Sequence, residues 1–427
     1  MHKAHGYEFS CDERERASAT SRRSVLKGAS LAAISAAIGA AIPFGRFMPE
    51  GYLPVALAQE AKLDFPGKSS ELAVIGDRPL VAETPAHLLD DDVTPIEVHY
   101  IRNNGEIPEP PVGPDAWELS VDGEVEGPLT LTLGELKSRF ENVTLQLVLE
   151  CGGNGRTQFV PAARGNPWTT GGVGCARWTG VRLKDVLEAA GPKPAAIYTA
   201  HYGADPHLSG DPDRQALSRG VRLEKALEPH TLIAFAMNGE PLPAVHGAPV
   251  RLIVPGWSGS ASQKWLTRIQ LRDVEHDGQG MRGTSYRVPE IPIVPGTDHD
   301  GTGFRILESM PVKSLITSPA DGTRPPAGTA ELEVRGHAWA GDLTVQDVFV
   351  SIDFGQTWQP TELNNPVNRY AWQRWSTVVQ LPTEGYYEIW ARAVDSNGKS
   401  QPFAAPNWNP GGYGGNAYHR IAVLIES

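Results

Sequence analysis

The stretch LVLECGGNGR, residues 147–156, places one cysteine between an apolar run and a turn rich in glycine. An arginine follows five residues later, so a soft thiol and a fixed cation lie close along the chain. A buried packing cysteine, a nucleophile and a metal ligand would each produce this pattern. The segment alone leaves these three interpretations open.

Besides Cys151 and Arg156, side chains able to bind anions or metals occur at other places in the chain: Arg102, His246, Arg251, Tyr286 and Arg287. A blue-copper site is excluded, because no histidine follows Cys151 until His201. A cysteine hydrolase would pair the thiol with a histidine, but nothing selects among His201, His207 and His246. A thiolate that binds a heavier metal held by another cofactor remains open.

Composition restricts the class of protein. The chain has 427 residues, of which 40% are hydrophobic and 21% charged, as in globular proteins of more than one domain. The formal net charge of −12 gives no basic footprint for nucleic acid. Only three cysteines occur, without a CxxC or CxxCH motif, which excludes a disulfide scaffold and a covalently attached c-type haem.

The first 58 residues have the pattern of an export signal. SRRSVLKG (21–28) precedes an apolar run of small residues (31–44), and VALA (55–58) is typical of a cleavage site. Paired arginines at this place resemble the twin-arginine signal. We therefore expect residues 1–58 to be removed, leaving a periplasmic protein without a membrane anchor.

The remaining chain divides by pattern into two predicted domains. Residues 59–310 mix strands such as LQLVLE with helices such as VRLKDVLEAAG, which indicates an α+β domain, and residues 59–115 are expected to wrap a surface. Residues 311–427 contain alternating, aromatic-rich segments separated by turns, which predicts an all-β sandwich.

Several motifs together resemble the sulfite oxidase family of molybdenum enzymes. They are YIRNNGEIP (100–108), LECGGNGR (149–156), GVGCARWTGVRLKDVL (172–187), the long stretch from NGEPLP to WLTRI (238–269), and AWQRW (371–375). The match is collinear from about residue 70 to the end of the chain. The resemblance implies a sulfite-oxidase-type molybdopterin domain followed by an immunoglobulin-like dimerisation domain.

The resemblance also implies roles for individual residues. Cys151 would ligate molybdenum. The molybdopterin and its phosphate would be held by Tyr100, Asn104, Asp205, His246, Arg251, Ser262, Gln263 and Lys264. Arg102 and Arg156 would bind sulfite, and Tyr286 would be the active-site tyrosine. Cys175 is expected to pack as a small apolar side chain.

The implied function is oxidation of sulfite to sulfate by a periplasmic homodimer without a haem domain, with a soluble c-type cytochrome as electron acceptor. Two departures from the animal enzymes affect the pocket. The chain has RNN (102–104) where they have RNH, and WNPGG (408–412) where they have an arginine-bearing WNLRG. The second departure removes one expected pocket cation.

Three other functions are compatible with the sequence. A sulfane dehydrogenase catalytic subunit shares the cysteine motif, although such proteins tend to have histidines in place of Asn103 and Asn104. A methionine sulfoxide reductase would run the chemistry in the other direction, but the arginine-rich pocket and the sandwich domain oppose it. A non-catalytic binding protein would contain no metal.

Overall fold

A computed structural model describes residues 62–109, 111 and 113–426. The predicted export signal, residues 1–58, lies outside these described residues. Within them, no helix is long and apolar enough to cross a membrane.

Three short α-helices lie among the described residues: α1 (Leu133–Arg139), α2 (Leu183–Ala190) and α3 (Leu223–Ala226). Helix α1 begins at a capping box, in which the Thr132 side chain accepts from the backbone of Glu135 and the Glu135 side chain accepts in return. Helix α2 ends at Gly191, whose φ of 69° lies in the left-handed region. The segment predicted to be helical around α2 therefore forms a helix, although its first two residues close the preceding strand.

Fifteen strands precede the sandwich in the described part of the chain: β1 (Ala73–Asp77), β2 (Leu80–Glu83), β3 (Ile101–Arg102), β4 (Glu118–Gly123), β5 (Leu129–Thr132), β6 (Asn142–Glu150), β7 (Val173–Arg182), β8 (Tyr198–Gly203), β9 (Ser218–Arg222), β10 (Leu232–Met237), β11 (Glu240–Pro241), β12 (Arg251–Ile253), β13 (Leu266–Arg272), β14 (Arg287–Pro289) and β15 (Phe304–Ile306). Strands β1–β3 form sheet 1, and β14 pairs with β15. Sheet 2 has the order β11-β10-β7-β6, with β12 also paired to β10. Sheet 3 has the order β5-β4-β13-β8-β9, in which β4 and β13 are parallel.

Residues 59–115 do more than wrap a surface. Sheet 1 lies in this segment, and Val81, Ala82 and Ile101 are buried in it. The high proline content and polarity of the segment leave β1 and β2 without a clear pattern, because these strands have only five and four residues. Strand β3 is held in place by its pairing with β2.

Eight further strands form the C-terminal sandwich: β16 (Lys313–Ser318), β17 (Glu331–Trp339), β18 (Val345–Ser351), β19 (Gln359–Pro360), β20 (Glu362–Leu363), β21 (Gln373–Gln380), β22 (Gly385–Asp395) and β23 (His419–Ile425). One sheet has the order β16-β17-β21-β20 and the other β19-β18-β22-β23. Alternating side chains from both sheets, such as Val334, Val350 and Ile389, form the core between them. The predicted α+β region followed by an all-β sandwich is therefore what the structure contains.

Candidate active site

One cavity gathers every predicted site residue except Arg156. Its lining consists of His99, Tyr100, Arg102, Asn104, Leu149, Cys151, Asp205, Leu217, His246, Arg251, Gly259, Ser260, Ser262, Gln263, Lys264, Trp265 and Tyr286. These residues are up to 187 positions apart in sequence, from His99 to Tyr286, so the fold brings them together. The cavity is therefore the candidate active site.

Cys151 enters this cavity directly after strand β6. Its backbone N–H donates to Gly172 O at 2.8 Å, and its carbonyl accepts from the Asn154 N–H at 2.9 Å, which closes the turn predicted from the glycines. The side chain is a free thiol and is 7% exposed. Gly152 is required by close approach, because a Cβ there would lie 2.5 Å from Ser258 Oγ and 3.4 Å from Tyr286 Cδ1. The position of the thiol is thus fixed by backbone on both sides.

Strand β3 supplies the next group. Ile101 points into a hydrophobic cluster with Leu72 and Ala82, so the alternation of the strand directs Tyr100 and Arg102 to the cavity. Burial raises the pKa of the Tyr100 phenol, and the neighbouring Cys151 raises it further. The phenol therefore stays protonated and is able to donate a hydrogen bond.

The HGAPVRL segment forms one wall. His246 ends a short 3₁₀ turn (Ala244–His246), and Gly247, with a φ of 107°, reverses the chain so that Arg251 opens strand β12. Arg251 Nη1 donates to His246 O at 2.9 Å. Burial lowers the pKa of Arg251 to about 10, which still leaves the guanidinium charged at neutral pH. The segment thus presents a fixed cation to the cavity.

Lys264 and Asp205 complete the charged lining. Lys264 Nζ donates to Asn103 Oδ1 at 2.5 Å and to Val245 O at 2.6 Å. Burial, followed by the nearby Arg251 charge, lowers the Lys264 pKa well below its usual range. Asp205 is the one carboxylate in the described lining, and burial raises its pKa to about 6. The guanidiniums of Arg102 and Arg251 therefore outnumber the one carboxylate, as expected for a site that binds an anion.

Tyr286 lines the cavity, its backbone is strained, and its ring contacts one aromatic and one cationic side chain. Its φ of 49° is in the left-handed region, which is unusual for a bulky residue. Its ring stacks on Tyr413 at 4.8 Å between centroids, and Arg219 Cζ lies 4.7 Å from its ring centroid. Arg219 and Tyr413 have no clear signal in the sequence, because their importance arises only from tertiary packing.

Arg156 is not among the described residues that line the cavity. Its guanidinium donates to Gly411 O and to Asn166 O, each at 2.7 Å, and its Cζ lies 5.4 Å from the Tyr413 ring. Arg156 therefore contacts Tyr413, whose ring in turn stacks on the cavity residue Tyr286.

A further residue missed by the sequence analysis, Lys68, contacts His246. Lys68 Nζ donates to His99 O at 2.6 Å and lies 3.1 Å from His246 Nε2. Burial lowers the Lys68 pKa to about 7. No local pattern in residues 59–115 marks this lysine, since the contact joins segments far apart in the chain.

The lining fits a polar, anionic cofactor. Four of its buried atoms have no hydrogen-bond partner within the described part of the chain: His99 Nε2, Arg102 Nη1, Arg251 Nε and Gln263 Oε1. Buried polar groups are nearly always satisfied, so a molecule in the cavity would supply the missing partners. A heteroatom-rich pterin with a phosphate provides both donors and acceptors, and the thiol provides a soft metal ligand.

Comparisons with known proteins agree with this geometry. Residues 104–280 match the oxidoreductase molybdopterin binding domain, and residues 305–426 match the Mo-co oxidoreductase dimerisation domain. The chain is 34% identical over 398 residues to mitochondrial sulfite oxidase of Rattus norvegicus, covering 89% of this chain and 71% of that protein. It is 35% identical over 377 residues to sulfite oxidase of Gallus gallus, covering 85% and 80%.

A solved structure shows the same fold. The sulfane dehydrogenase SoxCD from Paracoccus pantotrophus superimposes with a TM-score of 0.66 at 24% identity, covering 90% of this chain and 97% of that one. Fold and site together define a molybdopterin-binding oxidoreductase with a C-terminal β-sandwich. The chain belongs to the sulfite oxidase family, which confirms the predicted resemblance.

Proposed function

We propose that this protein is a periplasmic sulfite dehydrogenase that oxidises sulfite to sulfate and passes the electrons to a c-type cytochrome. The observation that carries the proposal is the meeting of the Cys151 thiol and the Arg102 guanidinium at one cavity. A thiolate is a soft metal ligand, and a guanidinium holds two oxygens of a small anion at once. The sulfite oxidases named above, at 34% and 35% identity, support sulfite as the substrate.

The residues divide between cofactor and substrate. Cys151 would ligate molybdenum, and the molybdopterin would be held by Tyr100, Asn104, Asp205, His246, Arg251, Ser262, Gln263 and Lys264. The bound cofactor supplies the two-electron redox chemistry, in which sulfite and water become sulfate, two protons and two electrons. Arg102 orients the sulfite oxygens and offsets their charge, while the Tyr286 hydroxyl donates to an oxygen of the substrate.

The fit of the cofactor to this chain rests on the unsatisfied lining atoms. Arg251 Nε and Gln263 Oε1 are one donor and one acceptor, both buried in the described cavity wall without a partner. A pterin carries both kinds of group at its edge, and its phosphate suits the charged Arg251 guanidinium. Arg156 stays a proposed sulfite-binding cation, and its guanidinium also donates to the backbone carbonyls of Gly411 and Asn166.

The acceptor and the assembly are further parts of the proposal. The negative net charge of the chain would attract a cytochrome with a basic face, and such steering weakens as salt is added. The match of residues 305–426 to a dimerisation domain supports a homodimer formed through the sandwich. Export through the twin-arginine route is supported by SRRSVLKG (21–28) and would deliver a folded, cofactor-loaded protein.

The test uses protein purified from its native host. We expect molybdenum in the protein, and sulfite-dependent reduction of both ferricyanide and oxidised cytochrome c, the latter slower at high ionic strength. Protein without molybdenum would contradict every enzymatic function considered. Molybdenum-loaded protein that fails to reduce ferricyanide with sulfite would reject sulfite as the substrate, and assays with a sulfane sulfur donor and with methionine sulfoxide would follow.

A further inference from the structure

Arg219, on strand β9, is a fully buried arginine with little to neutralise it. Its side chain is 0% exposed, and Nη1 donates to Gly280 O at 2.6 Å. Its Nε and Nη2 have no hydrogen-bond partner, and it forms no ion pair with a carboxylate, as far as residues 62–109, 111 and 113–426 are described. An arginine stays charged in proteins, so this site holds a buried positive charge that the described protein does not neutralise.

Phenol rings surround this charge. The guanidinium Cζ lies 4.7 Å from the ring centroid of Tyr286, and the phenols of Tyr286, Tyr198 and Tyr413 all favour the charged form electrostatically. Aromatic faces attract a cation, but they stabilise its charge less than a carboxylate would. The charge is therefore only partly compensated.

The contact with Tyr286 connects the charge to the cavity. Tyr286 lines the cavity with Cys151, whereas Arg219 lies on the other side of the ring contact and is outside the described lining. Tyr413 stacks on Tyr286, and Arg156 lies 5.4 Å from Tyr413. Two buried guanidiniums thus contact a stacked pair of tyrosine rings, of which Tyr286 lines the cavity.

We propose that Arg219 is a positioning residue for the anionic substrate: it holds the strained Tyr286 ring in place and supplies positive charge to the substrate end of the cavity. The inference rests on the proposed function, and it explains why the cavity binds an anionic substrate. The left-handed backbone of Tyr286 needs a side-chain contact to maintain it, and the cation over its ring provides one. A small oxyanion in the cavity would offset the charge that the described protein leaves uncompensated.

The test compares Arg219→Met, Arg219→Lys and the wild type as cofactor-loaded full-length proteins. Binding of sulfate, which is not oxidised, is measured by calorimetry, and KM and kcat are measured with sulfite. We expect Arg219→Met to weaken sulfate binding and raise KM about tenfold while kcat changes less, and Arg219→Lys to recover most of the affinity because it keeps the charge. Arg222→Met is the matched control, since Arg222 lies on the same strand but pairs with Glu308 at 2.7 Å at the surface.

Unchanged sulfate affinity in Arg219→Met would overturn the proposal and leave Arg219 a packing residue. If that variant does not fold, Arg219→Gln replaces it, because glutamine keeps a donor for Gly280 O while removing the charge. Sulfate binding does not require turnover. A wild type that binds sulfate but does not oxidise sulfite would therefore reject the proposed function. The sulfate affinities of the wild type and the Arg219 variants could still be compared.

Discussion

Lys313 Nζ lies 2.5 Å from Oε1 of Glu150, the residue directly before Cys151. The same ammonium donates to Asn154 O at 2.9 Å, and Trp339 Nε1 donates to Glu150 Oε2 at 2.8 Å. Lys313 begins the first sandwich strand and Trp339 ends the second, so two residues of the sandwich hold the strand that carries the thiol. The C-terminal sandwich is thereby part of what positions the candidate metal ligand.

Lys313→Met should destabilise the protein strongly. Glu150 is 3% exposed, and removal of its cation leaves a buried carboxylate without charge compensation. Breaking a buried pair from one side costs about 3–5 kcal/mol. The expected result is a lower urea concentration at the midpoint of unfolding, which is monitored by circular dichroism at constant pH.

The double variant Glu150→Gln/Lys313→Met separates charge from packing. It should recover part of the stability, because no charge is then buried unpaired. Lys137→Met is the surface control: its ion pair with Asp115 is largely exposed and should contribute about 1 kcal/mol or less. Equal destabilisation in the single and double variants would show that the effect of Lys313 comes from packing.

Cys151→Ser should retain the fold and abolish sulfite oxidation. Serine is nearly isosteric, but its hydroxyl is a hard ligand and is a poor replacement for a thiolate on molybdenum. The measurement combines sulfite-dependent ferricyanide reduction with the molybdenum content of the purified protein. Cys175→Ala is the matched control, because Cys175 is fully buried and burial raises its thiol pKa to about 12. Activity near wild type in Cys151→Ser would show that the cysteine is not the ligand.

Gly152→Ala should reduce cofactor occupancy. A Cβ at this position would lie 2.5 Å from Ser258 Oγ, so the turn or the facing segment must move at the mouth of the cavity. The added Ser258→Ala change removes that oxygen and should restore part of the molybdenum content. Gly127→Ala is the control, because nothing described lies within 4 Å of its Cβ position. A full molybdenum content in Gly152→Ala would mean that the turn or the facing segment moves to accommodate the added Cβ without affecting cofactor binding.

The sequence was sufficient where the signal is local. Strand β6, the glycine turn and Cys151 lie within one short segment, whose apolar run ends where the strand ends. The HGAPVRL segment likewise contains both its cation and the glycine that reverses the chain. These features are predictable because propensity and geometry act over a few neighbouring residues.

Long-range contacts were not predictable in this way. Lys68 reaches His246 across 178 positions, and no local pattern distinguishes that lysine from a surface lysine. The sequence pattern indicates only that Arg219 is a polar residue of a short strand, yet its side chain is fully buried against Tyr286. Arg156 donates to the carbonyls of Gly411 and Asn166 and lies 5.4 Å from the Tyr413 ring, contacts that its sequence motif does not indicate. Tertiary packing decided each of these cases.

Stability should fall on acidification because of buried neutral histidines, of which His337 is the clearest case. His337 is 0% exposed on strand β17, stacks on Trp372 at 4.1 Å, and lies 3.3 Å from Asp90 O. Burial lowers its pKa from 6.5 to about 4. Since the folded state holds this proton less tightly than the unfolded state, the contribution is complete above pH 6.5 and is lost between pH 6.5 and about 4.

His337→Gln tests this linkage by urea unfolding at several pH values across that range. The wild type should lose about 3 kcal/mol through this residue, and the variant should show a shallower decline even if it is less stable at neutral pH. Exposed His87→Gln should leave the decline unchanged. Parallel pH profiles for His337→Gln and the wild type would mean that His337 gains its proton in the folded state without a cost in stability. That outcome would contradict the assignment of the acid-dependent loss to the burial of His337 against Trp372.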